Sequence, residues 1–263
     1  MKTRRAQIQV LPSAKDDPVL ELLSRLVEDH GASALKLSTE DAAMGFDQVG
    51  FWVRRCKGLM PVVVKIGGPN ARNDIRELVC RGVDGLIAPM VESPYGLQNF
   101  IEALGEMLTP LEFNILGKHI NIETITAAKQ LDAILDSPWA GQLDEITIGC
   151  SDLSSSMGCK VTDPEVIELV TLCTDKIKSK GIPVSIGGGI TPVNIDERLK
   201  VLAPSHFNTR VVTFANDSAV SFGEAVKLAL EFEIEMLSLD HAEGFISAEE
   251  KQSRVCELKI RIG

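Results

Sequence analysis

The stretch DEITIGCSDLSSSMG, residues 144–158, starts as a buried strand and ends as a polar loop. Its first half is apolar without clean alternation, the pattern of a strand covered on both faces in a parallel sheet. The apolar run stops at Asp152, among four serines and two glycines. That composition serves a structural turn. It also serves a site that grips a metal ion or an oxyanion.

Similar runs recur along the 263-residue chain. They are AQIQVL (6–11), SALKLS (33–38), PVVVKIGG (61–68), DGLIAPM (84–90), FNILGKHINIE (113–123), DEITIGC (144–150), PVSIGGG (183–189) and FNTRVVTF (207–214). Between them lie segments with helical spacing. PVLELLSRLVEDHG places Val19, Leu22, Leu23, Leu26 and Val27 on one face. NDIRELVCRG ends at Gly82, and TAAKQLDAIL follows later. DPEVIELVTLCTDKIKSKG opens on acids and closes on lysines and a glycine, as the helix dipole favours.

Eight strand-like runs separated by helices predict a (β/α)8 TIM barrel, with an open doubly wound sheet as the alternative. The barrel is expected to fill residues 1–237 as the catalytic domain. The tail 238–263, with Phe245, Ile246, Val255, Leu258 and Ile260, is expected to be an extra C-terminal helical arm. Left exposed, those residues would form an apolar patch, so the arm is expected to cross to a neighbour in a homo-oligomer.

Net charge is −10, and no basic stripe carries interleaved aromatics, so no nucleic-acid partner is expected. No apolar run approaches the roughly 18 residues of a membrane span, and no secretory signal is read at the start. The six cysteines are scattered, with no CxxC pair. Free thiols in the cytoplasm are the expectation. Cys150, inside the opening stretch, reads more readily as a small buried residue than as a reactive one.

In such barrels chemistry is done at the C-terminal ends of the strands. Those ends carry Lys36 with Glu40 and Asp41, then Lys65, Glu92, Asn121 with Glu123, Gly149 with Ser151 and Asp152, Gly187–Gly189, and Asn208 with Arg210. Asn121 and Glu123 are two apart and share one face of their strand. Glu123 and Asp152, on adjacent strands, would suit a hard divalent cation such as Mg²⁺. Alternatively, either acid caps the helix that follows it. GGGITPVNI offers Thr191 and Pro192 as N-cap and first residue of a helix, a possible phosphate site or simply a tight turn.

Residues 65–157 resemble the HpcH/HpaI aldolase and citrate lyase β-subunit family of the pyruvate/phosphoenolpyruvate barrel superfamily. The pieces that carry the resemblance are GVDGLIAPMVES (82–93), INIETITAAKQLDAI (120–134) and DEITIGCSDLSSSMG (144–158), in the family's order and spacing. The resemblance implies a metal-dependent carbon–carbon lyase acting on a 2-oxo acid. By it, Glu123 and Asp152 would be the ligands of Mg²⁺ or Mn²⁺. Asn121, Gly149, Ser151 and Asp152 would line the substrate, with the backbone N–H groups of Ser151 and Asp152 receiving its carboxylate. Two positions depart from the family. Lys65 stands where an arginine usually binds the carboxylate, and KLSTEDAAMG (36–45) lacks the usual histidine base. Lys65, Glu40 and Lys36 are therefore the catalytic candidates.

Two further readings stay open. Lys36 and Lys65 end neighbouring strands, and a desolvated lysine beside another cation can form a Schiff base. A barrel without its base could also bind a carboxylate or phosphorylated metabolite without turning it over.

Overall fold

The computed structural model describes residues 17–216 and 221–262. The run AQIQVL (6–11) lies outside them. The described strands are β1 (Ala32–Ser38), β2 (Val62–Lys65), β3 (Gly85–Ala88), β4 (Gly117–Ile122), β5 (Glu145–Gly149), β6 (Val184–Gly187), β7 (His206–Asn208) and β8 (Val212–Ala215). They close into one barrel in sequence order. Neighbours from β1 through β7 pair in parallel. β8 runs antiparallel to both β7 and β1.

The barrel therefore forms as expected, with a different strand set. The run 207–214 is two strands, not one. Thr209 turns the chain back, its Oγ1 accepting from the N–H of Val212. This hairpin supplies the eighth strand. The run 113–123 is also divided. Its first residues belong to a short helix, and β4 begins only at Gly117. The cause is local: Thr109 and Glu112 form a capping box, and Pro110 fixes the first helical turn.

Twelve helices surround the barrel among the described residues. α1 (Pro18–His30) starts where the Asp17 carboxylate accepts from the N–H groups of Val19 and Leu20. It stops at Gly31, whose φ of 68° is left-handed. α2 (Phe46–Cys56) and α3 (Arg72–Cys80) follow β1 and β2. α4 (Pro94–Met107) and α5 (Pro110–Ile115) lie between β3 and β4. The segment 126–135 is not one helix but two, α6 (Ile125–Lys129) and α7 (Leu131–Leu135). α8 (Cys150–Met157) and α9 (Pro164–Ser179) follow β5. α10 (Ile195–Leu202) follows β6.

The chain ends in α11 (Gly223–Ala242) and α12 (Ala248–Ile262). α11 runs unbroken through the expected domain boundary at 237/238. Its Asp240 accepts from Trp52 Nε1 at 2.8 Å, which ties it to α2. α12 folds back onto the same chain. Leu258 is buried, and Phe245 packs on Phe51 with ring centroids 5.5 Å apart. Ile260 remains outside, 81% exposed.

Every residue of β2, β3 and β6 is buried, the burial of a sheet covered on both faces. Between barrel and helices the core is aliphatic, with Trp52, Phe100, Phe207, Phe214 and Phe232 as its largest members. Each such side chain adds about 1.5–3 kcal/mol on burial. The barrel interior is partly polar. Ser185 Oγ bonds Thr147, Glu145 and Asn208 at 2.8–3.1 Å. At the lower end His206 Nδ1 stands 2.6 Å from Glu145 Oε2. No helix among the described residues is long and apolar enough to cross a membrane.

Candidate active site

A cavity of about 350 Å³ opens at the C-terminal ends of the parallel strands. Lys36, Lys65, Asn121, Glu123, Gly149, Ser151 and Asp152 all line it. Glu40 stands beside it, paired with Lys65. These strand-end residues thus converge on one mouth, whereas Glu92 stays outside it and accepts from Thr124 Oγ1.

Glu123 follows directly on β4 and is 4% exposed. Its Oε1 accepts from the N–H of Met90 at 2.9 Å, and its Oε2 from Asn121 Nδ2 at 3.0 Å. Met90 has a φ of 55°, which a non-glycine residue holds only when its surroundings enforce it. The bond to Glu123 is one such constraint. Capping of the next helix falls to Thr124, whose Oγ1 accepts from the N–H of Ala127. Asn121 keeps its Oδ1 buried and without a partner. Gly149, on the neighbouring strand, has to be bare. A Cβ there would lie 2.7 Å from Glu123 Cβ and 3.0 Å from its Oε2.

Asp152 is exposed in the first turn of α8, where Gly149 holds the N-cap position. Among the described residues its carboxylate accepts no hydrogen bond, so it does not act as a cap. The next loop presses against this turn. Gly188, with φ at 85°, passes so close that a Cβ would fall 2.6 Å from the backbone nitrogen of Ser151. Only glycine fits both the angle and the space. Farther along, Thr191 and Pro192 do not begin a helix. Thr191 and Asn194 exchange hydrogen bonds across a turn, and α10 starts at Ile195.

The two lysines differ electrostatically. Lys65 Nζ lies 2.6 Å from Glu40 Oε2 and 3.4 Å from Asp41 Oδ1. Burial works against its charge, but Glu40, Asp41 and Glu123 outweigh it and hold its pKa above the ordinary lysine value. Lys36 is partly buried and lines the same cavity. Burial and the Lys65 ammonium push it below the ordinary value, against the pull of Asp41, Glu123 and Glu145.

Sequence reading missed part of the wall. Arg254 and Arg261, both on α12, reach the cavity beside Arg210. Nothing local announces them, since they arrive from the last helix by long-range packing. Two other arginines are spent elsewhere: Arg72 pairs with Glu106 and Arg76 bonds Asn73, both on the outside. All six cysteines are free. Burial pushes the Cys150 thiol up, which suits a structural residue.

No protein-family model matches the chain, and no curated protein does either. Solved structures do. An HpcH/HpaI aldolase from Desulfitobacterium hafniense DCB-2 superposes with a TM-score of 0.59 at 16% identity, covering 86% of this chain and 90% of that one. A citrate synthase, SbnG, gives 0.57 at 14% identity over 84% of this chain and 98% of that one. An HpcH/HpaI aldolase/citrate lyase family protein from Burkholderia cenocepacia J2315 gives 0.54 at 15% identity, over 68% and 88%. The chain therefore has the barrel fold of the HpcH/HpaI aldolase and citrate lyase proteins, the family that its strand-end motifs resemble.

Proposed function

We propose that this protein is a carbon–carbon lyase of the aldolase type, that it acts on a 2-oxo acid, and that it uses Mg²⁺ or Mn²⁺. One observation carries the reading. Glu123, Asp152 and the unpartnered Asn121 Oδ1 offer hard oxygen donors at one mouth. These groups fit a small divalent cation, with Glu123 and Asp152 as the anionic ligands. When bound, the cation would supply Lewis-acid stabilisation of the enolate left by bond cleavage. The rest falls to the protein. Lys65 binds the substrate carboxylate together with the N–H groups of Ser151 and Asp152, which point from the first turn of α8. Glu40, beside Lys65, takes the proton of the hydroxyl whose carbon leaves as an aldehyde and delivers it to the enolate carbon.

The test is Mn²⁺ titration by calorimetry with oxalate present, in wild type, Glu123→Ala and Asp152→Ala, alongside cleavage assays with EDTA. Binding lost in both variants and turnover lost with EDTA support the reading. Equal Mn²⁺ binding in all three proteins refutes it.

The lowering of the Lys36 pKa by burial and by the neighbouring Lys65 favours a second reading, in which its amine adds to the ketone with loss of water to give an iminium. Borohydride with pyruvate would then add a fixed mass to the wild type and none to Lys36→Met. Self-association through the outward face of α12, where Ile260 is exposed, is also proposed. Light scattering of the wild type and Ile260→Asp tests it. A cytoplasmic setting belongs to the same reading and agrees with the free thiols.

A further inference from the structure

Opposite Glu123 in the ring, the turn between β7 and β8 brings Arg210 to the cavity, where α12 adds Arg254 and Arg261. Behind them lies Glu233 of α11, 1% exposed. An ordinary charge-assisted bond between such groups spans about 2.7–2.9 Å. Here Arg210 Nε is 3.8 Å and Arg254 Nη2 4.0 Å from Glu233 Oε1. Both oxygens of Glu233 and the Nε atoms of Arg210 and Arg254 are buried without hydrogen-bond partners. Other contacts are few. Arg254 Nη1 reaches Glu250 at 3.4 Å, and Arg261 Nη2 donates to the carbonyl of Ile190 at 3.0 Å.

Unmet polar atoms at this density call for an explanation. Simple neutralisation of Glu233 does not give one. Three guanidiniums face one buried carboxylate, and none bonds it. Burial holds the Glu233 carboxyl above the usual range in spite of all three. Arginine forks match the oxygens of phosphate and carboxylate groups in pairs. An oxyanion in the cavity would give those donors the partners that Glu233 does not, while Glu233 limits their mutual repulsion when the cavity holds no anion.

We propose that Arg210, Arg254 and Arg261 form a second anion site, which takes a phosphate or carboxylate on the far half of the substrate. The inference rests on the reading of this cavity as the active site. It specifies the substrate class: a 2-oxo acid whose departing aldehyde or acyl half bears its own negative charge. Lys65 and the start of α8 hold one end, and the arginines hold the other. A cavity of about 350 Å³ has room for more than a three-carbon acid.

The experiment titrates inorganic phosphate, succinate and oxalate into the full-length wild type, Arg210→Gln, Arg254→Gln, Glu233→Gln and Lys65→Ala, with melting curves on each. Phosphate or succinate binding should weaken at least tenfold in both arginine variants and persist in Lys65→Ala. Oxalate should behave in the opposite way. Glu233→Gln should retain or tighten binding of the second anion, because it removes a competing carboxylate and leaves the arginines in place. Binding of phosphate alone identifies a phosphorylated substrate, and binding of succinate alone a dicarboxylate. Arginine variants that bind both anions like the wild type overturn the site, as does a wild type that binds neither. Because these titrations need no turnover, arginine-dependent phosphate binding in a protein without lyase activity would keep the site and discard the lyase.

Discussion

The Lys65 ammonium stands 2.6 Å from Glu40 and 3.4 Å from Asp41, so the cation that ends β2 is already balanced within the protein. Lys65→Ala should weaken oxalate binding by about 1.5–3 kcal/mol, the scale of a hydrogen bond to a charged group. Glu40→Gln should leave oxalate affinity intact and lower turnover. If calorimetry finds unchanged affinity in Lys65→Ala, the lysine serves to hold Glu40 and Asp41.

Lys36 has a depressed pKa, so between its folded value and the ordinary 10.5 the unfolded chain binds more protons. Wild-type stability should therefore rise with pH across that window. Lys36→Met should be the more stable protein at pH 7, with the gap closing toward alkaline pH. Urea denaturation of both proteins at neutral and alkaline pH measures it. A constant gap would show that the lysine is not strained by burial and by Lys65.

Glu123 and Asp152 should separate in stability. Glu123→Ala leaves the buried Asn121 Nδ2 and the part-buried Met90 N–H without their partner, at about 1–3 kcal/mol. Asp152→Ala removes an exposed, unbonded carboxylate and should stay within about 0.5 kcal/mol of wild type. Equal loss in denaturant titrations would mean that Asp152 has a structural bond after all.

Gly149→Ala drives a methyl to 2.7 Å from Glu123 Cβ and should destabilise by about 1–3 kcal/mol, as overpacking does. Mn²⁺ affinity should fall with it. Gly141→Ala, with nothing within 4 Å, is the control that should change neither.

The pair at the lower end of the barrel sets an acid-side dependence. Glu145 raises the pKa of His206 above 6.5, so the stability this adds is complete below that value. It is lost as pH rises through the folded value. Thermal melts of His206→Gln should lack the gain that wild type shows on acidification from pH 8 to pH 6.

Much of this was legible from residue order. The strands ending at Lys65, Glu123 and Gly149 announce themselves as apolar runs closed by polar groups. Asp17 with Gly31 bounds α1, and Pro164 opens α9, by chemistry that acts over a few residues. The misreadings had longer-range causes. FNTRVVTF is one uninterrupted pattern, yet Thr209 folds it into a hairpin whose second strand pairs with the distant β1. Thr109, Pro110 and Glu112 signal the helix over 110–115, but the apolar residues that run from it into β4 carry the same pattern as the strand. Arg254 reaches the cavity through packing of the last helix, which no local pattern encodes.

Because β8 runs back after Arg210, its own C-terminal end lies away from the mouth, where the ring offers only the short turn that carries Arg210. The wall there is lent by the chain's last helices, through Met236, Asp240, Arg254 and Arg261. Of that stretch, α11 is built into the core through Phe232 and tied to α2 through Asp240, whereas Arg254 and Arg261 stand on α12, whose one buried residue is Leu258. On the proposed reading, the carboxylates that would hold the metal and two of the arginines that would select the substrate therefore stand on separate segments, the first from β4 to α8 and the second on α12.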